Sequence, residues 1–413
     1  MEEYNARLKR ITDAIELREP DRVPVAPKIQ CWPVLRTGAS MKDVLYDFNK
    51  GAECMKKFAI EFEPDYIFGH RSIHMGKGPL FERMCSKTTI WAGKPGGGIP
   101  DNSIHQFIEY PVLLDEDMDF FQKDYTGWLL EKGLPSVSET LEPFKELKLY
   151  KLDILSDQSS LAALLSKPEI RKAIEELWAI HDMSAEIMKD YRKLDDDLEA
   201  LGFPVLHKGF MSVPFDLYSD FYRGTINSMT DLYDREDLIR SFCKSQLQYM
   251  LESVRAQGQS FKDKLVFIPL HKGMDKFMSD DQYRRLYWSD LRTIIEEIIT
   301  NGMTPYVYTE GPYDSRLEAL TEVPKGKVIY HFEQANMANA KKILGNTACI
   351  SGGFPAYKLQ FAKKEEIIDE CKRLIDSCAP GGGFIFETSS GFDDAKEENV
   401  EALVDTVKEY GKY

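Results

Sequence analysis

A single (β/α)8 TIM barrel, with a helical insertion near its mouth, is the α/β fold this sequence predicts, and three observations predict it. Short apolar runs recur along the chain and most are followed by a stretch of helical periodicity, the alternation of a parallel α/β protein. Eight such runs can be read: RVPVA, YIF, PVLHK, KLVFIPL, TPYVYTEG, KVIYHFE, TACISGG and GGFIFETSSGF. The chain of 413 residues, 43% hydrophobic, has enough apolar content to bury one large barrel and an addition to it. The domain organisation expected is therefore one barrel over 1–413 with an insertion at about 76–200.

The elements follow in order. Leu8, Ile11, Ala14 and Ile15 recur at helical spacing, and Pro20 ends that helix before the first strand, Arg22 to Ala26. A helical stretch from Met41 to Phe62 leads to the second strand, Tyr66 to Phe68. The regular alternation then stops. GKPGGGIPDN reads as a loop by its glycines and prolines, and Leu161 to Leu201 reads as two or three helices broken near Lys167-Pro168. So many Phe, Trp and Leu residues in this stretch make it a folded cap rather than a linker. The third strand is placed at Pro204 to Lys208, the fourth in KLVFIPL, and the fifth to eighth in the runs that follow, before a closing helix from Asp394 to Tyr410.

Composition excludes several function classes. Fifty-three basic against 68 acidic residues give a net charge of −15, which argues against a nucleic-acid partner and against an anionic membrane surface. The seven cysteines are scattered and contain no CxxC pair, so neither a disulfide framework nor a ribbon-type zinc site is expected, and a reducing cytoplasm fits. No apolar signal core and no run long enough to cross a membrane is present, so a soluble, cytoplasmic protein is expected.

The candidate chemistry lies in the fifth to seventh runs, which contain Glu310, His331 and Cys349, 21 and 18 residues apart. Neighbouring strands of a barrel are about 4.8 Å apart, so side chains at three adjacent strand ends can converge on one ion. Carboxylate, imidazole and thiolate suit zinc, with a fourth position open to substrate. The tripeptide His-Lys-Gly follows the third and fourth strands and places His207 and His271 at the same mouth. His271 is read as a proton donor to substrate, with a metal-ligand role in place of Cys349 left open. Tyr308 alternates with Glu310 on the inward face and is the second candidate catalytic residue. Trp32, Tyr66, His207, Phe210, Phe215 and Phe386 lie at or near strand ends and are candidates for lining an apolar substrate pocket.

Four segments carry a resemblance: AIELREPDRVPV, FMSVPFDLYSDFYRG, MSDDQYRRLYWSDLRTIIEEI before TPYVYTEG, and CAPGGGFIFETSSGF. They resemble the uroporphyrinogen decarboxylase superfamily, whose (β/α)8 barrels include true decarboxylases and the corrinoid-linked methyltransferases of anaerobic metabolism. The decarboxylases carry an arginine-rich segment after the first strand. Here that place reads PKIQCWPVLRTG, with Lys28 and Arg36 as its basic residues, too few for a substrate with eight carboxylates. The thiol-methylating members carry a His-x-Cys pair after strand five and a second Cys after strand eight, where this chain has Tyr308-Thr309-Glu310 and Ser389-Ser390. Glu310 and His331 are similar to the Glu-x20-His pattern of the ether-cleaving methyltransferases of O-demethylase systems. Those proteins have a further Glu fifteen positions earlier, and here residue 295 is Ile, with Glu296 and Glu297 beside it.

That resemblance implies a zinc-dependent methyltransferase that moves a methyl group from a methylated small molecule, an aryl methyl ether above others, to the cob(I)alamin of a separate corrinoid protein. A lyase of the decarboxylase kind and a non-catalytic barrel that binds a corrinoid partner are the alternatives.

Overall fold

The structure, a computed structural model, describes residues 2–152, 155 and 158–413; residues 153, 154, 156 and 157, within the expected insertion, lie outside it. A small antiparallel pair, β1 (Thr89–Ile90) and β2 (Gln106–Phe107), stands apart in the insertion. The main sheet is entirely parallel and runs in chain order: β3 (His207–Phe210), β4 (Leu265–Leu270), β5 (Thr304–Pro312), β6 (Ile329–Gln334), β7 (Cys349–Gly352) and β8 (Phe384–Ile385). This is the predicted α/β barrel architecture, with six of the eight positions built as ladder strands.

The two remaining positions differ from expectation for a local reason. Residues 22–26 and 66–68 form no ladder; Pro24 supplies no N–H in the first segment, and Pro27 and Pro64 flank the two. Isolated bonds fill the gap between β8 and β3: Phe386 N–H donates to Pro24 O at 2.8 Å, Ala26 N–H to Phe386 O at 3.0 Å, Asp65 N–H to Val25 O at 2.8 Å and Ile67 N–H to Pro204 O at 2.9 Å. No continuous ladder closes the ring among the described residues. The third strand also begins later than predicted, at His207, since Pro204 can offer only its carbonyl.

Alternation along the strands divides their side chains into an inner and an outer set. Leu265, Tyr306, Tyr308, Ile329, Cys349 and Ile385 form the inner cluster with Tyr66 and Phe68, and the helix Glu2–Ile15 presses Ile11 and Ala14 against it. That helix covers the end of the barrel where the strands begin. It is fastened by Arg10, which donates to Asp21 and to the buried Asp65, a carboxylate that Arg22 also holds. The outer set packs against the surrounding helices in the larger core.

The insertion contains a small core of its own around Phe144, Leu147, Ile170 and Ala173. Its helices break at Lys167: one ends at Leu165 and the next, Pro168–Ala200, starts with proline at its first position, where the missing N–H costs nothing. The long helix is tied to the barrel by Asp195, which accepts from His70 Nε2 at 2.9 Å, Arg71 at 2.6 Å and Lys208 at 2.7 Å. Among the described residues no helix is long and apolar enough to cross a membrane.

Candidate active site

The C-terminal ends of β4 and β5 bring His271 and Glu310 to one rim, with His271 Nε2 3.7 Å from Glu310 Oε1. His271 Nδ1 lies 2.5 Å from Asp220 Oδ2. The backbone N–H groups of His271 and Lys272 both donate to Asp216, at 3.1 and 2.9 Å, as does the Tyr287 hydroxyl at 2.6 Å. Asp216 and Asp220 are four residues apart, on the helix Pro214–Leu217 and the π-helical turn Tyr218–Arg223 that continues it, so both carboxylates reach the same loop. Burial opposes the charge of the imidazole, but Asp220, Asp216 and Glu310 outweigh it and raise its pKa to about 9. Burial also raises Glu310, with Glu333 and Asp220 adding to the effect and His271 and Lys28 opposing it. The result at neutral pH is an imidazolium whose Nδ1 is fixed by a carboxylate and whose Nε2 proton faces the mouth.

Lys28 also acts on Glu310. Its ammonium lies 3.2 Å from the centroid of the Tyr308 ring and 5.6 and 5.8 Å from those of Phe68 and Phe267. Burial pushes its pKa down to about 7 against the pull of Glu310, Glu387 and Glu333.

A second polar group lies deeper in the barrel. Glu387 accepts from Tyr66, from Tyr306 at 2.6 Å and from His331 Nδ1 at 2.7 Å. His331 Nε2 lies 3.0 Å from the carbonyl oxygen of Ser389, to which Tyr308 also donates at 3.3 Å. Burial alone would raise the Glu387 carboxyl, but His331 and the tyrosine hydroxyls hold it below its ordinary value.

The predicted zinc trio is not assembled. Both ring nitrogens of His331 already have partners inside the barrel, Nδ1 beside Glu387, Tyr306 and Ser351 and Nε2 beside the carbonyl oxygen of Ser389. Cys349 opens β7 instead of ending it, pairs with Ile329, and lies in the apolar layer over the N-terminal helix, where burial pushes its thiol far up. Glu310 alone of the three reaches the mouth. Among the described residues no group of three or more His, Cys, Asp and Glu is arranged to hold a metal ion. The donor set does not fit zinc.

The other predicted residues divide in the same way. His271 and Tyr308 are at the site, Phe210 is exposed at the end of β3 with its ring 6.2 Å from Phe267, and His207 lies inside the barrel stacked on Phe68. Tyr66 is inside too, but bound to Glu387. Three expectations are corrected. Trp32 packs outside the barrel among Phe58, Phe62 and Phe392 and donates to Ala395 O. Phe215 packs between Phe277 and Tyr287, and Phe386 faces outward against Phe354 and Phe384. Lys28, Asp216, Asp220, Glu333 and Glu387 were not singled out from sequence. For Glu387 the signal was present: in FIFET the period of two puts Ile385 and Glu387 on one face and Phe386 on the other.

Residues 168–410 match the family described as uroporphyrinogen decarboxylase (URO-D). The uroporphyrinogen decarboxylase of Azoarcus sp. (strain BH72) is 22% identical over 263 residues, 59% of this chain and 71% of that protein. The one from Aromatoleum aromaticum (strain DSM 19018 / LMG 30748 / EbN1) is 24% identical over 264 residues, with the same coverage of 59% and 71%. A solved structure of a methyltransferase from Methanosarcina mazei superposes with a TM-score of 0.60 at 15% identity, over 98% of each chain. At that identity the likeness is one of fold.

Proposed function

The chain belongs to the uroporphyrinogen decarboxylase family, and from that premise we propose that it is a corrinoid-dependent methyltransferase acting on a methylated small molecule, an aryl methyl ether in the finest reading. The acceptor is the reduced corrinoid of a separate protein docked over the mouth, which supplies the nucleophile when bound. The observation that carries the proposal is His271: a carboxylate-fixed imidazolium whose Nε2 is turned to Glu310 at the rim.

Methyl transfer from an ether needs help at oxygen, because an alkoxide or phenolate is a poor leaving group. As the C–O bond breaks, its electron pair stays on oxygen, the methyl group passes to the corrinoid, and the His271 Nε2 proton goes to the oxygen. Asp220 keeps the ring oriented throughout, and Glu310 sits where it can stabilise the imidazolium before transfer. No step is routed through zinc, since the donor set does not fit it.

Decarboxylation of a polycarboxylate is disfavoured by the same site. The groups acting on Lys28 and Glu310 are carboxylates, a lysine and a histidine, with no arginine among them. Arg36, the one arginine of the segment after the first strand, is held by Glu61 and Glu397, both at 2.6 Å.

The test is to incubate the purified protein with methoxylated arenes, with and without a corrinoid protein reduced to the cob(I) state. Demethylated product is expected only when the corrinoid is present. Turnover of a methylated substrate without corrinoid, or decarboxylation of uroporphyrinogen, overturns the proposal.

A further inference from the structure

Buried polar groups are nearly always hydrogen-bonded, so an imidazole buried with both nitrogens unpaired marks a place where the protein leaves the partner to something else. His207 is such a residue: it is 8% exposed, and neither Nδ1 nor Nε2 has a hydrogen-bond partner. Its ring is held firmly all the same, stacked on Phe68 at 3.9 Å and edge-on to Tyr306 at 4.6 Å. Burial lowers its pKa to about 3, with His70, Lys28 and His331 acting in the same direction and Glu387 against them. The ring is therefore neutral, with one N–H donor and one acceptor nitrogen.

Lys28 has unused capacity of the same kind. Its Nζ carries three donors and makes no hydrogen bond or ion pair to another described residue; its neighbours are the faces of Tyr308, Phe68 and Phe267. His207 touches two of the same three rings, lying 6.4 Å from Phe267 as well as against Phe68. Two polar groups thus bear on the same rings, His207 from the start of β3 and Lys28 from over the face of Tyr308.

We infer that His207 and Lys28 form one polar subsite, walled by Phe68, Phe267 and Tyr308, that takes a phenol-type hydroxyl carried on an aromatic ligand. The hydroxyl oxygen accepts from Lys28 Nζ while its O–H donates to the free nitrogen of His207. A carboxylate suits the place less well on charge grounds. It would face Glu310, Glu333 and Glu387, the carboxylates that surround Lys28. A quaternary ammonium offers Lys28 nothing to bind. The inference names the recognised end of the methyl donor and rests on the methyltransferase reading for the rest of that molecule.

The experiment compares phenol, methoxybenzene and benzoate binding to the full chain by isothermal titration calorimetry, with no corrinoid protein present. Phenol is expected to bind about tenfold or more tighter than either of the others, a hydrogen-bonded hydroxyl against its absence or its replacement by an anion. Lys28→Met and His207→Phe should each bring phenol down to the level of methoxybenzene. Lys28 is half-buried with its ammonium unpaired, so Lys28→Met is a fair test even if His207→Phe misfolds. Equal binding of phenol and methoxybenzene by the wild type, tighter binding of benzoate, or unchanged phenol affinity in Lys28→Met overturns the subsite. Methyl transfer plays no part in this measurement. Phenol-selective binding by a protein that demethylates nothing would count against the methyltransferase and leave the subsite standing, and the converse result would do the reverse.

Discussion

His331 lies on β6 and His271 just past the end of β4, two strands away, and they are opposites. His331 has each nitrogen against an oxygen, one from Glu387 and one from Ser389, deep in a barrel that supplies every partner it can use. His271 has one nitrogen held by Asp220 and the other turned to the rim. The interior network is complete in itself and so serves the fold, whereas the mouth is left incomplete and so can serve a ligand. His331 is wholly buried within its strand and His271 is about a third exposed just past the end of its own, and the number of partners each finds follows that difference.

The largest effect that can break this comparison comes from the interior. His331→Ala leaves the buried Glu387 carboxylate without one of its hydrogen-bond partners, and the loss expected is about 1–3 kcal/mol of stability, read by urea denaturation. If the variant unfolds like the wild type but loses bound zinc on elemental analysis, His331 is a metal ligand after all and the contrast collapses.

The mouth should respond in the other coordinate. His271→Gln is expected to lower turnover by roughly 10²–10⁴-fold, the range of a lost general acid. Because the folded pKa of His271 is raised to about 9 from 6.5, its charge-dependent stabilisation is fully present below about 6.5 and is lost as pH rises through 9. Turnover should therefore hold across neutral pH and fall above 9, and Asp220→Asn should move that fall toward neutrality. An alkaline limb at the same pH in Asp220→Asn would mean that Asp220 does not set the ionisation of His271.

The smallest effect sharpens the boundary between the regions. Cys349 is part of the apolar layer, so Cys349→Ala should cost about 1 kcal/mol through lost burial, with metal content and turnover as in the wild type. A selective loss of bound zinc would bring the thiol back into the site.

Much of this was legible in the sequence, and the reasons for the rest are physical. The strands from Leu265 onward, and the mouth positions of His271 and Glu310, follow from apolar runs long enough to fix both type and direction. The segments around Pro24 and Tyr66 read as strands by composition, but each is bonded to its neighbours only singly, and in the first Pro24 lacks a donor. Cys349 was misread through direction: the run TACISGG starts its strand at the cysteine, so the end nearest the mouth is Gly352. Trp32, Phe215 and Phe386 show that an aromatic residue near a strand end serves the helix–barrel interface as readily as the lumen. Nothing local in the chain could pair Asp220 with His271 or set Lys28 over Tyr308, since those contacts join residues 51 and 280 positions apart.

The proline-broken seam between β8 and β3 has a mechanical consequence. Ladder strands share a load over many bonds, while the segments at 22–26 and 65–67 are linked to their neighbours by isolated ones. The ring is therefore stiff along β4 to β7 and compliant across the seam. Lys28 hangs from the compliant arc and His271 with Glu310 from the rigid one, like the moving and fixed jaws of a vice. A ligand wider than the resting gap would be accommodated by displacement of the lysine jaw, with the proton donor holding its place.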